Sequence, residues 1–442
     1  MFLRSVTLFF ACGVANALCA LATAQSVPSQ NPDLISPEQA SITPQLPSPS
    51  GSFGVGRIAY EWVDVSRFES HASDPQTHRD LMVYLWYPSP RKDVAMRGEY
   101  LPGAQQMNAT PEVQSAMKGD FETLWPLVVS GSITSHAIRN APIARTQAPF
   151  PVVIFSHGNG GTSFGYTSLI ENLVSHGYVV AAVEHTYTAT AVVFPGGRIV
   201  SAYREPAANR SPAEAFQQMM KGAGLQINTG AADLIFVMNK LSQLNNQTES
   251  NFPLSGRLDL NHVAAMGHSS GGGNAALACE LSGRFKACLS LEGQMPPIAA
   301  FPTNPDGKFF AQPVLLLEVD HSGQRRGFDD AQNAEYQKKK KEQLEKCPAG
   351  SYDVVLKSEG LMHGSFSDFP LLMASGHAKE TGLTLDNLRL IESYILAFLD
   401  KNLKSAKTSP LYNEANAPEA IVKAYGGSQQ VVRPQAPQEK QD

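Results

Sequence analysis

The chain has 442 residues, 43% of them hydrophobic and 17% charged, with 35 Lys and Arg set against 40 Asp and Glu. That apolar content excludes an intrinsically disordered chain and suits either a few average domains or one large α/β domain with tails. A net charge of −5 with no dominant basic stretch argues against nucleic acid as the main partner, because phosphate binding needs a concentrated positive surface.

From the N-terminus, Arg4 precedes an apolar run from Val6 to about Leu21, and Ala22-Thr23-Ala24 offers a small-x-small cleavage pattern. This predicts a signal peptide over 1–24 and an exported product, periplasmic or extracellular, with an uncleaved N-terminal anchor as the alternative. Gln25–Ser50 is rich in Pro, Ser and Gln and reads as a disordered linker, and the same composition returns from Ser405 to the end as a disordered tail. The folded domain is therefore expected over 51–404. No later segment is apolar for long enough to cross a membrane, so a soluble product is expected. Of five cysteines, Cys12 and Cys19 leave with the signal. Cys279, Cys288 and Cys347 then allow at most one internal disulfide and show no metal-ligand spacing. Cys279 and Cys288, in apolar surroundings, read as buried free thiols.

Within the domain, Leu81, Val83 and Leu85 alternate through Arg79–Pro88, the period-2 pattern of a strand with one buried face. Val152–Phe155, Tyr178–Val183, His262–Met266, Ala287–Leu291 and Pro313–Val319 are short, nearly continuous apolar runs, as parallel strands buried on both faces require. Tyr352–Leu356 reads as a further strand. Helical spacing appears over Tyr166–Ser175, through Leu234, Val237, Met238, Leu241 and Leu244, and through Leu388, Ile391, Ile395, Phe398 and Leu399. The alternation predicts an α/β fold with a mostly parallel central sheet and helices on both faces. Arg91–Pro149 and Thr186–Leu225 break the rhythm and read as excursions over the sheet's C-terminal edge, where such folds place ligand sites. Lys338–Lys341, in a charged helical segment, reads as a solvated helix face rather than a binding site.

Gly267-His268-Ser269-Ser270-Gly271 has the G-x-S-x-G form of a nucleophile elbow, a strained strand-to-helix turn that exposes a serine hydroxyl. Gly161-Thr162-Ser163-Phe164-Gly165 matches too, but Ser163 stands beyond a glycine-rich loop, whereas His262–Met266 runs straight into Gly267 and a helical stretch follows. Ser269 is the candidate nucleophile, and Ser163 reads as loop or helix-start structure. The loop His157–Gly161 follows an early buried strand, where backbone N–H groups stabilise the charge developing on a carbonyl oxygen. Asn159 and Ser270 are the candidate oxyanion-hole donors. The Gly-Lys-Ser/Thr ending of a phosphate-gripping loop is missing.

A serine hydroxyl needs a general base and an acid to orient it, in the chain order Ser, Asp or Glu, His. His321, His363 and His377 follow Ser269. His363 is the candidate base, because it follows the strand Tyr352–Leu356, whereas His321 precedes that strand and His377 sits in a helical stretch. The acid has two candidates. Glu292 ends the strand after the elbow helix, and Asp320 ends the next one; the residues alone leave this open.

Taken together, RDLMVYLWYP (79–88), PVVIFSHGNGG (151–161), SHGYVVAAVEH (175–185), the helix Ala232–Leu241, GHSSGG (267–272) and MHGSFSDF (362–369) resemble, in the same order, the plasma-type platelet-activating factor acetylhydrolase family. The resemblance implies an α/β-hydrolase that uses no metal or organic cofactor. It implies a serine esterase acting on short or oxidised sn-2 acyl groups of phospholipids, with contact to a lipid surface. Another exported carboxylesterase, lipase or polyester hydrolase is the alternative. The family's acid segment, L-D-x-W-M-x-P, corresponds to Leu291-Glu292-Gly293-Gln294-Met295-Pro296, so the resemblance gives the role to Glu292, with Glu for Asp and Gln294 in the Trp position. Asp320 is the acid that the polyester-hydrolase pattern would use.

Overall fold

The computed structural model describes residues 43–90, 97–117, 121–205, 212–247, 251–293, 310–321, 330–375, 377–413 and 418–426. The expected signal peptide, the linker up to residue 42, Gln294–Pro296 and the end of the tail lie outside the described residues.

Ten strands form the main sheet: β1 (Gly54–Phe68), β2 (His78–Ser89), β3 (Ala137–Arg139), β4 (Phe150–Ser156), β5 (Val179–Glu184), β6 (Leu258–His268), β7 (Ala287–Leu291), β8 (Val314–Val319), β9 (Ser351–Leu356) and β10 (Ala420–Tyr425). Their spatial order is β10-β9-β8-β7-β6-β4-β5-β2-β1-β3. The six from β9 to β5 are parallel, while β10 and β2 pair antiparallel at either side. Five longer helices are α1 (Thr167–Ser175), α2 (Pro212–Asn245), α3 (Ser270–Leu281), α4 (Asp330–Leu344) and α5 (Ala378–Leu403).

The continuous apolar runs follow from burial of both sheet faces. Phe155, Val180, Met266, Leu289 and Leu315 point to one side, against Leu169 and Leu173 of α1 and Ile391, Ile395 and Phe398 of α5. Their neighbours Ile154, Val179, Ala265, Cys288 and Leu316 point to the other, against Leu234, Val237 and Leu241 of α2 and Ala275 and Ala276 of α3. Because side chains alternate along a strand, every residue of such a strand meets a core, and no polar positions are left to mark a period. Cys279, Cys288 and Cys347 are free and buried. No helix among the described residues is long and apolar enough to cross a membrane.

The structure departs from the sequence reading in four places. First, β1 was not expected. Its buried positions include the charged Arg57 and Asp64 while Val63 and Val65 are exposed, which blurs its period-2 signal. Second, both tails are shorter than their composition implies. Leu46 is buried, and Ser50 hydrogen-bonds Asn172, so the linker's last residues pack on the domain. Beyond Ser405, β10 closes the sheet on β9, with Ala420 and Val422 in the core. Third, Arg91–Pro149 is no simple excursion, because it carries β3 to the sheet edge beside β1. Fourth, the run Lys338–Lys341 is not wholly solvated. Lys340 is buried between Glu318 and Asp353 and pairs with both carboxylates.

Beneath the central strands lies a buried polar chain. Arg79 of β2 holds Asp233 of α2 through two guanidinium nitrogens, at 3.1 and 2.6 Å, and reaches Glu69 at 2.5 Å. Asp233 also accepts from His185 Nδ1 at 2.8 Å, and His185 Nε2 meets the Ser156 hydroxyl at 2.8 Å. Asn274 of α3 donates to the same hydroxyl. Although Ser156, His185 and Asp233 are the residue types of a triad, all three are buried, so they cannot meet a substrate. Their role is to fasten β2, β4, β5, α2 and α3 together. Burial alone would raise the Asp233 carboxyl, but Arg79 and His185 hold it well below the usual range. His185 is pushed down to about 4 by burial and stays neutral.

Asp368 performs a similar task on the other face. Its carboxylate accepts the amides of Thr167 and Ser168 at the start of α1, and the Tyr100 hydroxyl. Burial pushes it up to about 7. The neighbouring Glu392, which accepts from Asn172, is pushed up to about 8 by burial first and by Asp368 second.

Two stability predictions follow from these groups. Asp233→Ala, which leaves Arg79 buried with one carboxylate fewer, is expected to lower unfolding free energy by about 3–5 kcal/mol in a denaturant titration. Glu392 has a raised carboxyl in the fold, so its contribution is complete at acid pH and is lost as pH climbs from the ordinary carboxyl range to about 8. Glu392→Gln keeps the acceptor for Asn172 and should therefore gain on the wild type by roughly 4 kcal/mol over that interval, read from melting curves against pH.

Candidate active site

At the end of β6 the chain turns abruptly into α3, and Ser269 sits on the turn with φ 57° and ψ −123°. A non-glycine residue held there stores about 1–3 kcal/mol, which persists only because the surroundings over-determine it. The glycines around it do this by close backbone approach. A Cβ on Gly267 would lie 2.1 Å from the Gly271 carbonyl oxygen, and one on Gly271 would lie 2.3 Å from that of Ser156. The turn is thereby pressed onto the end of β4, and Ser269 N–H donates to Leu291 of β7 at 2.9 Å.

His363 opens a short helical turn, His363–Phe366, after β9. Its Nε2 lies 3.0 Å from Ser269 Oγ and its Nδ1 lies 3.1 Å from Glu292 Oε2. Glu292, one residue beyond β7, has φ 49°, a left-handed conformation at the strand end. Its other oxygen accepts the Val319 amide at 2.5 Å. Burial would raise this carboxyl, yet the hydrogen bonds from His321 and His363 outweigh it and hold the group well below the usual carboxylate range. The structure thus brings Ser269, His363 and Glu292 into one line. Asp320 is exposed at the end of β8, and its amide donates to Leu356. His377 lies at the start of α5.

The loop after β4 abuts the nucleophile turn: a Cβ on Gly158 would lie 3.3 Å from Ser269 Cβ. Neither the Asn159 amide nor the Ser270 amide hydrogen-bonds any group among the described residues. The Asn159 side chain accepts from Gln226 of α2 at 2.7 Å. Ser163 is buried in a short turn, its amide and hydroxyl both on Glu184, so it is structural.

Sequence reasoning missed three neighbours. His321, dismissed as a base, donates from Nε2 to Glu292 Oε2 at 2.8 Å. His268, the variable residue of the elbow, donates from Nε2 to the His363 carbonyl at 2.9 Å and accepts the Tyr166 hydroxyl on Nδ1 at 2.8 Å. Burial pushes His268 down to about 3, which keeps it neutral and suits one donor and one acceptor nitrogen. Tyr166 in turn accepts the Gly158 amide at 3.2 Å, so the base and the loop beside Ser269 are coupled through two side chains. No pattern in the sequence marks these partners, because each belongs to a segment distant in the chain. Among the described residues, no three His, Cys, Asp or Glu side chains are grouped to hold a metal ion.

The family model of platelet-activating factor acetylhydrolase, isoform II, matches residues 39–417. Among curated proteins, platelet-activating factor acetylhydrolase of Cavia porcellus is 25% identical over 359 residues, covering 76% of each chain. A probable 1-alkyl-2-acetylglycerophosphocholine esterase of Arthroderma benhamiae is 24% identical over 348 residues, covering 76% of this chain and 79% of that one. Among solved structures, a ferulic acid esterase from Streptomyces cinnamoneus superimposes with a TM-score of 0.59 at 24% identity, over 87% of this chain and 99% of its own. That likeness carries the α/β-hydrolase fold.

The depressed Glu292 carboxyl gives a prediction independent of turnover. A lowered carboxyl stabilises the fold above its unfolded range and loses that contribution as pH falls through the folded value. Glu292→Gln should therefore be less stable than the wild type at pH 7, by about 2 kcal/mol, with the gap closing as the solution is acidified below the ordinary carboxylate range. Paired thermal melts at several pH values check this.

Proposed function

The chain belongs to the platelet-activating factor acetylhydrolase, isoform II, family and is a carboxylic-ester hydrolase, and we propose that it works through Ser269, His363 and Glu292 on short or oxidised sn-2 acyl groups of phospholipids. The observation that carries this reading is the unbroken line from Ser269 Oγ through both ring nitrogens of His363 to Glu292, built on a strained, glycine-walled turn.

Ser269 Oγ attacks the ester carbonyl while His363 Nε2 takes its proton, and the new oxyanion lies against the amides of Asn159 and Ser270. Glu292, kept ionised, holds Nδ1–H of His363 and offsets the charge of the imidazolium. His363 then gives the proton to the leaving alcohol, freeing it and leaving an acyl group on Ser269. A water deprotonated by His363 attacks that acyl carbon, and the proton returns to Ser269 as the acid departs.

The substrate class rests on the names of the relatives, which specify a phospholipid acetyl ester. Such a substrate belongs to lipid surfaces, so the reading includes transient contact with one. The sequence pattern of residues 1–24 supports export of the enzyme.

The test is hydrolysis of an sn-2 acetyl ether phospholipid against its long-chain counterpart, with Ser269→Ala as the blank. Acetate release that falls by at least about 10⁴-fold in the variant, with little long-chain activity, is the expected outcome. Ser269-dependent turnover confined to other esters would overturn the substrate class and leave the triad. Turnover that survives Ser269→Ala would overturn the mechanism.

A further inference from the structure

Glu292 Oε2 is shared. His363 Nδ1 approaches it at 3.1 Å and His321 Nε2 at 2.8 Å, and the shorter bond belongs to the histidine that does not touch Ser269. With the Val319 amide on Oε1, the carboxylate accepts from three donors on two segments, the end of β8 and the loop after β9. A glutamate side chain has three rotatable bonds, and positioning a base to within a fraction of an ångström requires those bonds to be fixed from outside.

We propose that His321 is a positioning residue of this site, a fourth member that pins Glu292 and divides the negative charge of Oε2 between itself and His363. The inference rests on the triad reading above and adds to it. An oxygen that already accepts one N–H has less charge to offer a second, so the imidazolium formed at His363 during attack is stabilised less than it would be by Glu292 alone. His321 therefore has two opposed effects. It improves the geometry of the triad, and it makes the base easier to deprotonate near neutral pH.

Among the described residues, the following groups face this pair. His363 packs with its ring centroid 4.7 Å from that of His268 of β6, the rings tilted by 40°, and burial keeps His268 neutral. Glu292 meets His321 from β8, His363 from the loop after β9, and the backbone of Val319. Asp320, next to His321 in the chain, is exposed and carries a further charge.

The experiment is the pH dependence of kcat/KM on a short-chain p-nitrophenyl ester for the wild type, His321→Ala and His321→Gln, with Ser269→Ala and His363→Ala alongside. In His321→Ala the acidic limb should move to higher pH by about half to one unit. Turnover at pH 7 should fall on the order of tenfold. His321→Gln keeps an N–H near the position of Nε2 and should recover most of both. If His321→Ala does not fold, His321→Leu fills the space without a donor and should show the same shift. A limb that stays in place or moves to lower pH overturns the proposal. So does an equal loss in the alanine and glutamine variants with no movement of the limb, which would mark His321 as structural only. Full activity in Ser269→Ala or His363→Ala would instead refute the triad reading, whatever the His321 variants do.

Discussion

The whole site depends on one close contact, the approach of the Gly271 backbone to the carbonyls of Ser156 and His157. It presses the nucleophile turn onto the end of β4, and every other functional distance is measured from there. The loop that follows β4 then lies beside Ser269, and β7 is held next to β6 by the bond from the Ser269 amide to Leu291. A single methyl group at residue 271 would separate these parts. The strain at Ser269 is thus the local sign of packing that begins on the neighbouring strand.

From this anchor the site is assembled by successive strand ends. β7 brings Glu292, β8 brings His321 and the amide that binds Glu292, and β9 leads to the loop with His363. Each arrives at the same edge because parallel strands end together, which is why such folds put chemistry there. The same His loop continues to Asp368, which binds the first amides of α1. His268 and Tyr166 join the loop's backbone to the residues around Gly158. The base is therefore held from several sides, and its carbonyl and its ring have separate supports.

Much of this was legible in the sequence. The parallel strands were readable because burial on both faces leaves uninterrupted apolar runs, and Ser269 was readable because a strand, two glycines and a helix must coincide at an elbow. His363 followed from chain order. Glu292 could be separated from Asp320 only by resemblance to a family, since both end buried strands and the reach of a carboxylate is a three-dimensional quantity. In the structure Glu292 meets His363 while Asp320 is exposed. His321 and His268 were hidden for the same reason, as their partners are dozens of residues away. Composition misled at the tails, where Pro and Gln content masked Leu46 and the strand Ala420–Tyr425. It also misled at Lys340, whose charge is compensated by two carboxylates that no local pattern reveals.

The order of strands has a consequence for how the chain can be assembled as it is made. On one side of β6 the sheet runs β7, β8, β9, β10 outward, the order in which they leave the ribosome. Each of these strands can pair with one already synthesised, and none must wait for a later partner. Until Tyr425 has emerged, however, β9 presents an open row of amides and carbonyls, a template on which another strand could add. The last strand is thus a covering for that row as much as a part of the core, and a nick or truncation upstream of it exposes a sticky edge on an otherwise finished molecule.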